Sequence, residues 1–137
     1  MNDKEHTIAQ ARSIMLAVEV NDTEWRKHAA EGIKLGFGFF KTHYKSTLEF
    51  ENAGFFKRTF FINKITKRCD NLLLDSEKRI NEGDIQAGSK CAGFRLFNIW
   101  VASKSAKDGF YLEIEKKMIE LNIAPDVFKA LRSYSPY

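Results

Sequence analysis

The chain has 137 residues, of which 44% are hydrophobic, and its 22 Lys and Arg exceed its 18 Asp and Glu. This length and apolar content suit one globular domain over residues 1–137, and they exclude a disordered chain. The polar N-terminus lacks the apolar core of a signal peptide, and the apolar stretch 94–102 is far shorter than the roughly 20 residues of a membrane-spanning helix. Cys69 and Cys91 lack CxxC spacing, so we expect two reduced thiols rather than a disulfide. These features predict a soluble, cytoplasmic protein with no membrane segment.

Helical spacing dominates the first third of the chain. A first helix is predicted from apolar residues that recur every three or four positions, at Ile8, Ala11, Met15 and Val18. A second helix is predicted to begin after a capping Asn21, and six apolar residues then share one of its faces: Trp25, Ala29, Ile33, Phe37, Phe40 and Tyr44. Gly36 and Gly38 weaken this helix unless they let another helix approach closely.

The segment after the second helix has two interpretations. Apolar and polar residues alternate around Asn52-Ala53-Gly54, which permits a small β-hairpin over about 46–62 and an α+β fold. We prefer a helix that ends at Gly54. A long third helix over about 55–80 is then predicted from a second apolar stripe and ends at Gly83; the stripe comprises Ile62, Ile65, Cys69 and Leu72.

The remaining segments also favour helices. Residues 91–102 are apolar on almost every side, so they form either a buried central helix or a core strand, and their helical neighbours favour the helix. Tyr111, Ile114 and Met118 mark a fifth helix, and Pro125 suits the first position of a short last one. We therefore predict an all-α fold, a single-domain helical bundle of five or six helices.

No motif for catalysis stands out in the sequence. Glu24, His28 and Glu31 share a helix face, but a metal site in a bundle needs ligands from several helices, so we expect a solvated polar face. Residues 83–90 have the glycine spacing of a phosphate-binding loop, but Ser precedes Lys, the reverse of the required order. No nucleophile and base can be paired. We expect a non-enzymatic protein without a metal or other cofactor.

Positive charge is concentrated in one segment. Residues 26–68 hold ten Lys and Arg against three Glu, a net +7, whereas the other 94 residues hold twelve basic and fifteen acidic residues, a net −3. Aromatic residues alternate with these cations. The candidate binding residues are Lys41, Tyr44, Lys45, Lys57, Arg58, Lys64, Lys67 and Arg68. The alternative is an ordinary solvated face that pairs with acidic residues of the last third, such as Glu113, Glu115 and Glu120.

Two hypotheses of function follow from this distribution. In the first, the basic central face, at about 41–68, contacts the phosphates of nucleic acid or of a nucleoprotein complex with little sequence specificity. In the second, the same face docks on an acidic partner protein, and the chain acts as an inhibitor, immunity protein or adaptor of the kind that phages and plasmids encode. Twelve phenylalanines also leave a homodimer open. Most of them, including Phe40, Phe56 and Phe60, are expected in the core.

Overall fold

The computed structural model describes residues 2–133, and this part of the chain contains seven α-helices and no strand. The helices are α1 (Asp3–Val20), α2 (Thr23–His43), α3 (Thr47–Asn52), α4 (Phe55–Asn81), α5 (Ile85–Ala106), α6 (Phe110–Glu120) and α7 (Pro125–Ser133). The all-α prediction is confirmed, although the number of helices is above the predicted five or six. None of the described helices is long and apolar enough to cross a membrane.

The hairpin alternative for 46–62 is wrong, because α3 and the start of α4 occupy that segment. The preferred single helix up to Gly54 is also too simple. The chain leaves the helical conformation at Tyr44 (φ −135°, ψ 132°), and Ser46 then starts α3, since its hydroxyl accepts a hydrogen bond from the Glu49 N–H. The Glu49 carboxylate in turn accepts from the Lys45 N–H at 2.9 Å. Gly54 does not end a helix but precedes the first residue of α4.

The other helix ends follow from local hydrogen bonds. The cap of α2 is Asp22 rather than the predicted Asn21, and its carboxylate accepts from the Trp25 N–H at 3.1 Å. Asn21 instead closes α1 by donating to the Ala17 carbonyl. Gly83 follows the end of α4, as predicted, with a φ of +86° that an L side chain rarely adopts.

Helix α5 is the centre of the bundle, which confirms a buried helix over 91–102. It packs against five other helices: α1, α2, α3, α4 and α6. Its closest neighbour is α2, because glycines at the crossing let the two backbones approach. A Cβ on Gly93 would lie 1.9 Å from the Ala29 carbonyl oxygen, and one on Gly32 would lie 2.0 Å from the Lys90 oxygen. All seven helices contribute side chains to one cluster of buried apolar residues. Helix α4 therefore lies against α5 along one face and leaves the other face in solvent.

Candidate functional site

The exposed side of α4 carries four of the predicted cations on one surface. We call Lys57, Lys64, Lys67 and Arg68 the α4 basic face, and all four are exposed. At 3.6 residues per turn they fall within an arc of about 100°, beside the arc that carries the buried side chains Phe61, Ile65 and Cys69. They extend over the 12 residues from 57 to 68, or about 17 Å of helix. The structure therefore brings half of the predicted binding residues together on a single helix.

Aromatic rings lie beneath three of these cations. The Lys57 Nζ is 5.7 Å from the centre of the Tyr44 ring, and the Lys64 Nζ is 5.7 Å from that of Phe60. The Arg68 guanidinium is 5.0 Å from the centre of the Phe39 ring, which itself stacks on Phe61. Each such contact is worth about 0.5–1 kcal/mol at an exposed site. The rings hold the cations at the surface without neutralising them.

No carboxylate neutralises the α4 basic face. Among residues 2–133, none of the four cations is in an ion pair. Two of the three acidic residues expected as an alternative source of counter-charge are paired elsewhere: Glu113 with Arg12 at 3.0 Å, and Glu115 with Arg132 at 3.1 Å. The Arg12 guanidinium, mainly through its hydrogen bond, holds the pKa of Glu113 below its ordinary value. From Asn52 through Cys69 the sequence has five basic and no acidic residues. The face is a local concentration of positive charge.

Two other predicted binding residues have structural roles. Tyr44 is only 2% exposed, and its ring packs against Phe50 and Phe61 in the core. Burial, and then the Glu49 carboxylate, raise the pKa of the Tyr44 phenol above its ordinary value. Arg58 lies one residue beyond Lys57, which turns it toward the bundle, and it donates to the Ala53 carbonyl at 2.5 Å and to the Ser105 hydroxyl at 3.2 Å. Tyr44 supports the surface from below, and Arg58 joins the start of α4 to α5.

The remaining two predicted residues, Lys41 and Lys45, lie outside the α4 basic face. The Lys41 Nζ lies 4.7 Å from the centre of the Phe37 ring. Because Phe37 and Phe39 are two residues apart on α2, they point to opposite flanks: the Phe39 ring stacks on Phe61 of α4, whereas the Phe37 ring lies 6.3 Å from that of Phe97 on α5. Lys45 is exposed in the turn before α3. The predicted 41–68 surface is therefore smaller than expected and consists mainly of α4.

The structure adds residues that the sequence argument placed elsewhere. Phe56 and Phe60, expected in the core, are 85% and 66% exposed, and Phe55 beside them is 67% exposed. Of the adjacent residues Phe60 and Phe61, only Phe61 faces the core, where it lies one helical turn before the buried Ile65. The sequence spacing already indicated this exposure, because Phe56, Phe60 and Lys64 are each four residues apart and therefore lie on the same face of the helix. We call Phe56 and Phe60 the α4 exposed phenylalanines.

His43 extends the same surface onto α2. Its ring lies between Phe39 and Phe61, with ring centres 4.9 and 5.1 Å away. Its Nε2 lies 3.5 Å from the Lys64 Nζ, and its Nδ1 lies 3.3 Å from the Phe39 carbonyl oxygen. The Thr42 hydroxyl oxygen lies closer to Nδ1, at 2.9 Å, and these contacts fit the tautomer in which Nδ1–H donates to the two oxygens and Nε2 accepts from the lysine. The imidazole is thus a hydrogen-bonding group at the edge of the α4 basic face.

The other candidate polar sites lie away from the α4 surface. His28 lies 3.0 Å from a Glu24 oxygen and 3.2 Å from a Glu31 oxygen, all on α2, and no group of His, Cys, Asp and Glu in the described residues could hold a metal. Residues 85–90, where the phosphate-loop spacing lies, form the first turns of α5. A cavity of about 560 Å³ is lined by four charged and four uncharged residues from α3 and α5 to α7. Its charges form two ion pairs, Glu51 with Lys104 and Glu115 with Arg132.

No family model matches the chain, and neither a curated protein nor a solved structure is similar to it. Function is therefore inferred from the chemistry of the α4 surface.

Proposed function

We propose that this protein is a non-enzymatic helical binding protein whose α4 basic face contacts the phosphates of nucleic acid. The observation that carries the proposal is the set of four exposed cations, Lys57, Lys64, Lys67 and Arg68, on one arc of one helix with no ion-paired carboxylate within residues 2–133. Cations in this state gain most from a polyanion, because they give up no internal ion pair when they bind. Phosphates that they neutralise release counterions, which supplies the free energy of binding.

The arrangement favours contacts to the backbone rather than to base edges. Three of the four cations are lysines, whose ammonium groups act as point charges on phosphate. Phosphate contacts position a protein on nucleic acid but carry no sequence information. Four such contacts give a plot of log K against log salt concentration a slope of about −3.6 on duplex DNA and about −2.8 on a single strand. We expect binding with weak sequence preference and strong salt dependence.

The test is a fluorescence-anisotropy titration of labelled oligonucleotides at several salt concentrations. One variant replaces the whole α4 basic face by Ala. Its matched control replaces four exposed lysines that lie on other helices and form no ion pair with another described residue: Lys4, Lys27, Lys34 and Lys116. Both variants lose four positive charges, so a difference between them measures position rather than net charge. The α4 variant is expected to lose most of the salt dependence, and the control to keep it.

Two results contradict the proposal. In one, the native chain binds no oligonucleotide at about 50 mM salt, where phosphate contacts are strongest. In the other, the two variants lose the same affinity, which assigns binding to net charge. The first result leaves the acidic partner protein as the explanation of the basic surface, and association with such a partner would slow as salt is added.

A further inference from the structure

The α4 exposed phenylalanines indicate which form of nucleic acid the surface fits. Building on the proposed function, we infer that the surface binds single strands, with Phe56 and Phe60 stacking on unpaired bases while the α4 basic face contacts the phosphates. Phe56 is 85% exposed and Phe60 66% exposed, whereas the adjacent Phe61 faces the core and is 2% exposed. Stacking on aromatic side chains beside a cationic track is how proteins bind single strands without sequence preference.

Because these two rings are exposed, they do not contribute to folding the stabilisation that a buried phenylalanine provides. Burying a phenylalanine is worth several times the thermal energy, and this chain buries Phe40, Phe50, Phe61, Phe94, Phe97 and Phe128 almost completely. The exposed rings lie outside that cluster and are not covered by any other described helix. Neighbouring exposed apolar side chains mark interaction surfaces more often than isolated ones do. A partner with flat apolar faces would cover them.

The charges around the rings decide which partner fits. The two rings and the four cations are interleaved: Phe60 lies between Lys57 and Lys64 along the chain, and the Lys64 ammonium approaches its ring. A second copy of this chain, docked by a two-fold axis on this face, would bring like charges together. A membrane-surface helix separates its apolar and charged sides, and the separated apolar side of α4 already packs on α5. A single-stranded nucleic acid offers planar bases and phosphates in alternation, which matches the interleaved pattern.

The spacing along α4 agrees with an unpaired strand. Phe56 and Phe60 are four residues apart, which separates them by about 6 Å along the helix axis. Stacked nucleotides of a duplex strand rise only about 3.4 Å each, and their faces are covered by their neighbours. Bases on the two rings must therefore be unstacked from each other. Because Lys64 lies beside Phe60, a nucleotide on that ring would have its phosphate near an ammonium group.

The experiment compares a 12-residue oligothymidine with a duplex of equal length, using chains changed at the α4 exposed phenylalanines. Phe56→Ala and Phe60→Ala are each expected to weaken binding of the single strand by about 5- to 100-fold, and to leave duplex binding nearly unchanged. Phe60→Leu retains apolar area but lacks an aromatic face, so it is expected to resemble Phe60→Ala. Leu16→Ala and Leu112→Ala remove exposed apolar side chains on α1 and α6 and serve as controls. Circular dichroism checks that each variant is folded.

The outcomes separate this inference from the proposed function. If the phenylalanine variants bind the single strand as well as the native chain while the α4 basic-face variant does not, stacking is wrong and the phosphate surface stands. If Phe60→Leu binds like the native chain, the contact is apolar rather than aromatic, and the inference fails. Binding to anionic vesicles with no binding to either oligonucleotide overturns both ideas. Selective loss of single-strand binding in both Ala variants and in Phe60→Leu supports the inference.

Discussion

Replacement of Gly93 by Ala tests the helix crossing on which the α4 surface depends. Gly93 lies where α5 meets α2, and a Cβ built on it would be 1.9 Å from the Ala29 carbonyl oxygen and 2.8 Å from the carbonyl carbon. Ordinary contact begins at 3.4 Å, so the Cβ is about 1.5 Å too close. The obstructing atoms belong to the backbone of α2, which has no rotamer to change. The two helices must therefore move apart.

The cost of this movement follows from two opposing terms. Overpacking of a close-packed interior costs about 1–3 kcal/mol and occasionally more, and a backbone obstacle places this substitution at the upper end. Alanine recovers about 1 kcal/mol through its higher helix propensity. We expect Gly93→Ala to lower the free energy of unfolding by about 2 kcal/mol, which is a large share of the roughly 5–15 kcal/mol of a typical domain.

Gly38→Ala is the matched control for this experiment. Gly38 is also inside a helix of the same pair, but a Cβ there meets nothing within 4 Å, so the propensity term acts alone and stability should rise by up to about 1 kcal/mol. Urea unfolding monitored by circular dichroism measures both variants against the native chain. Equal stability of the two variants would refute the argument that the α2–α5 crossing requires glycine at position 93.

Three further predictions concern single side chains. Arg58→Ala should lower the free energy of unfolding by roughly 1–3 kcal/mol, because it removes the hydrogen bonds to the Glu51 and Ala53 carbonyls and to Ser105. The affinity for an oligonucleotide should not change. A loss of affinity without a loss of stability would instead show that Arg58 belongs to the binding surface. Glu115→Leu should destabilise by a similar amount in urea unfolding, since it orphans the buried Trp100 N–H, whereas Glu115→Gln keeps an acceptor and should cost less. Burial raises the pKa of Cys69 from 9.0 to about 11. In a Cys91→Ala chain, a thiol reagent at pH 8 should therefore modify Cys69 only when the protein unfolds. Because the unfolded chain loses this proton at a lower pH than the folded chain, the free energy of unfolding should fall as pH rises from about 9 to about 11.

The sequence predicted the long helices well because their buried stripes are regular. The stripe of Ile65, Cys69 and Leu72 on α4 lies on the packed side, and α5 is buried almost all round as its composition indicated. The sequence could not separate a hairpin from two helix ends over 46–62, since the decision depends on how Ser46 and Glu49 bond to the backbone. The alternation of apolar and polar residues in this segment is too short to distinguish a strand from a helix, so the local capping hydrogen bonds decide the structure.

Close approach of helices is another property that composition alone did not locate. Gly36 and Gly38 were the sequence candidates, but only Gly36 faces α5, where a Cβ would meet the Phe97 ring at 2.7 Å. The two positions differ by about 200° on the helix, so they could not share a contact. Gly32 and Gly36, four residues apart, both face α5. On α5 itself Gly93 gives the close approach to the Ala29 backbone, and it is distant in sequence from both. The requirement for glycine at position 93 can be recognised only when the relative position of α2 and α5 is known.

Local net charge overestimates a binding surface because some cations are used inside the fold. The segment 26–68 has a net charge of +7, but Arg26 donates to the carbonyls of Val18 and Glu19 at the end of α1. Arg58 does the same at the end of α3. The last carbonyls of a helix have no N–H partner within the helix, and these guanidinium groups donate hydrogen bonds to them. If such a guanidinium moved to a phosphate, the carbonyls would lose those hydrogen bonds. A cation is available to a ligand only if the fold does not depend on it. By that criterion the four residues of the α4 basic face qualify, and the two arginines do not.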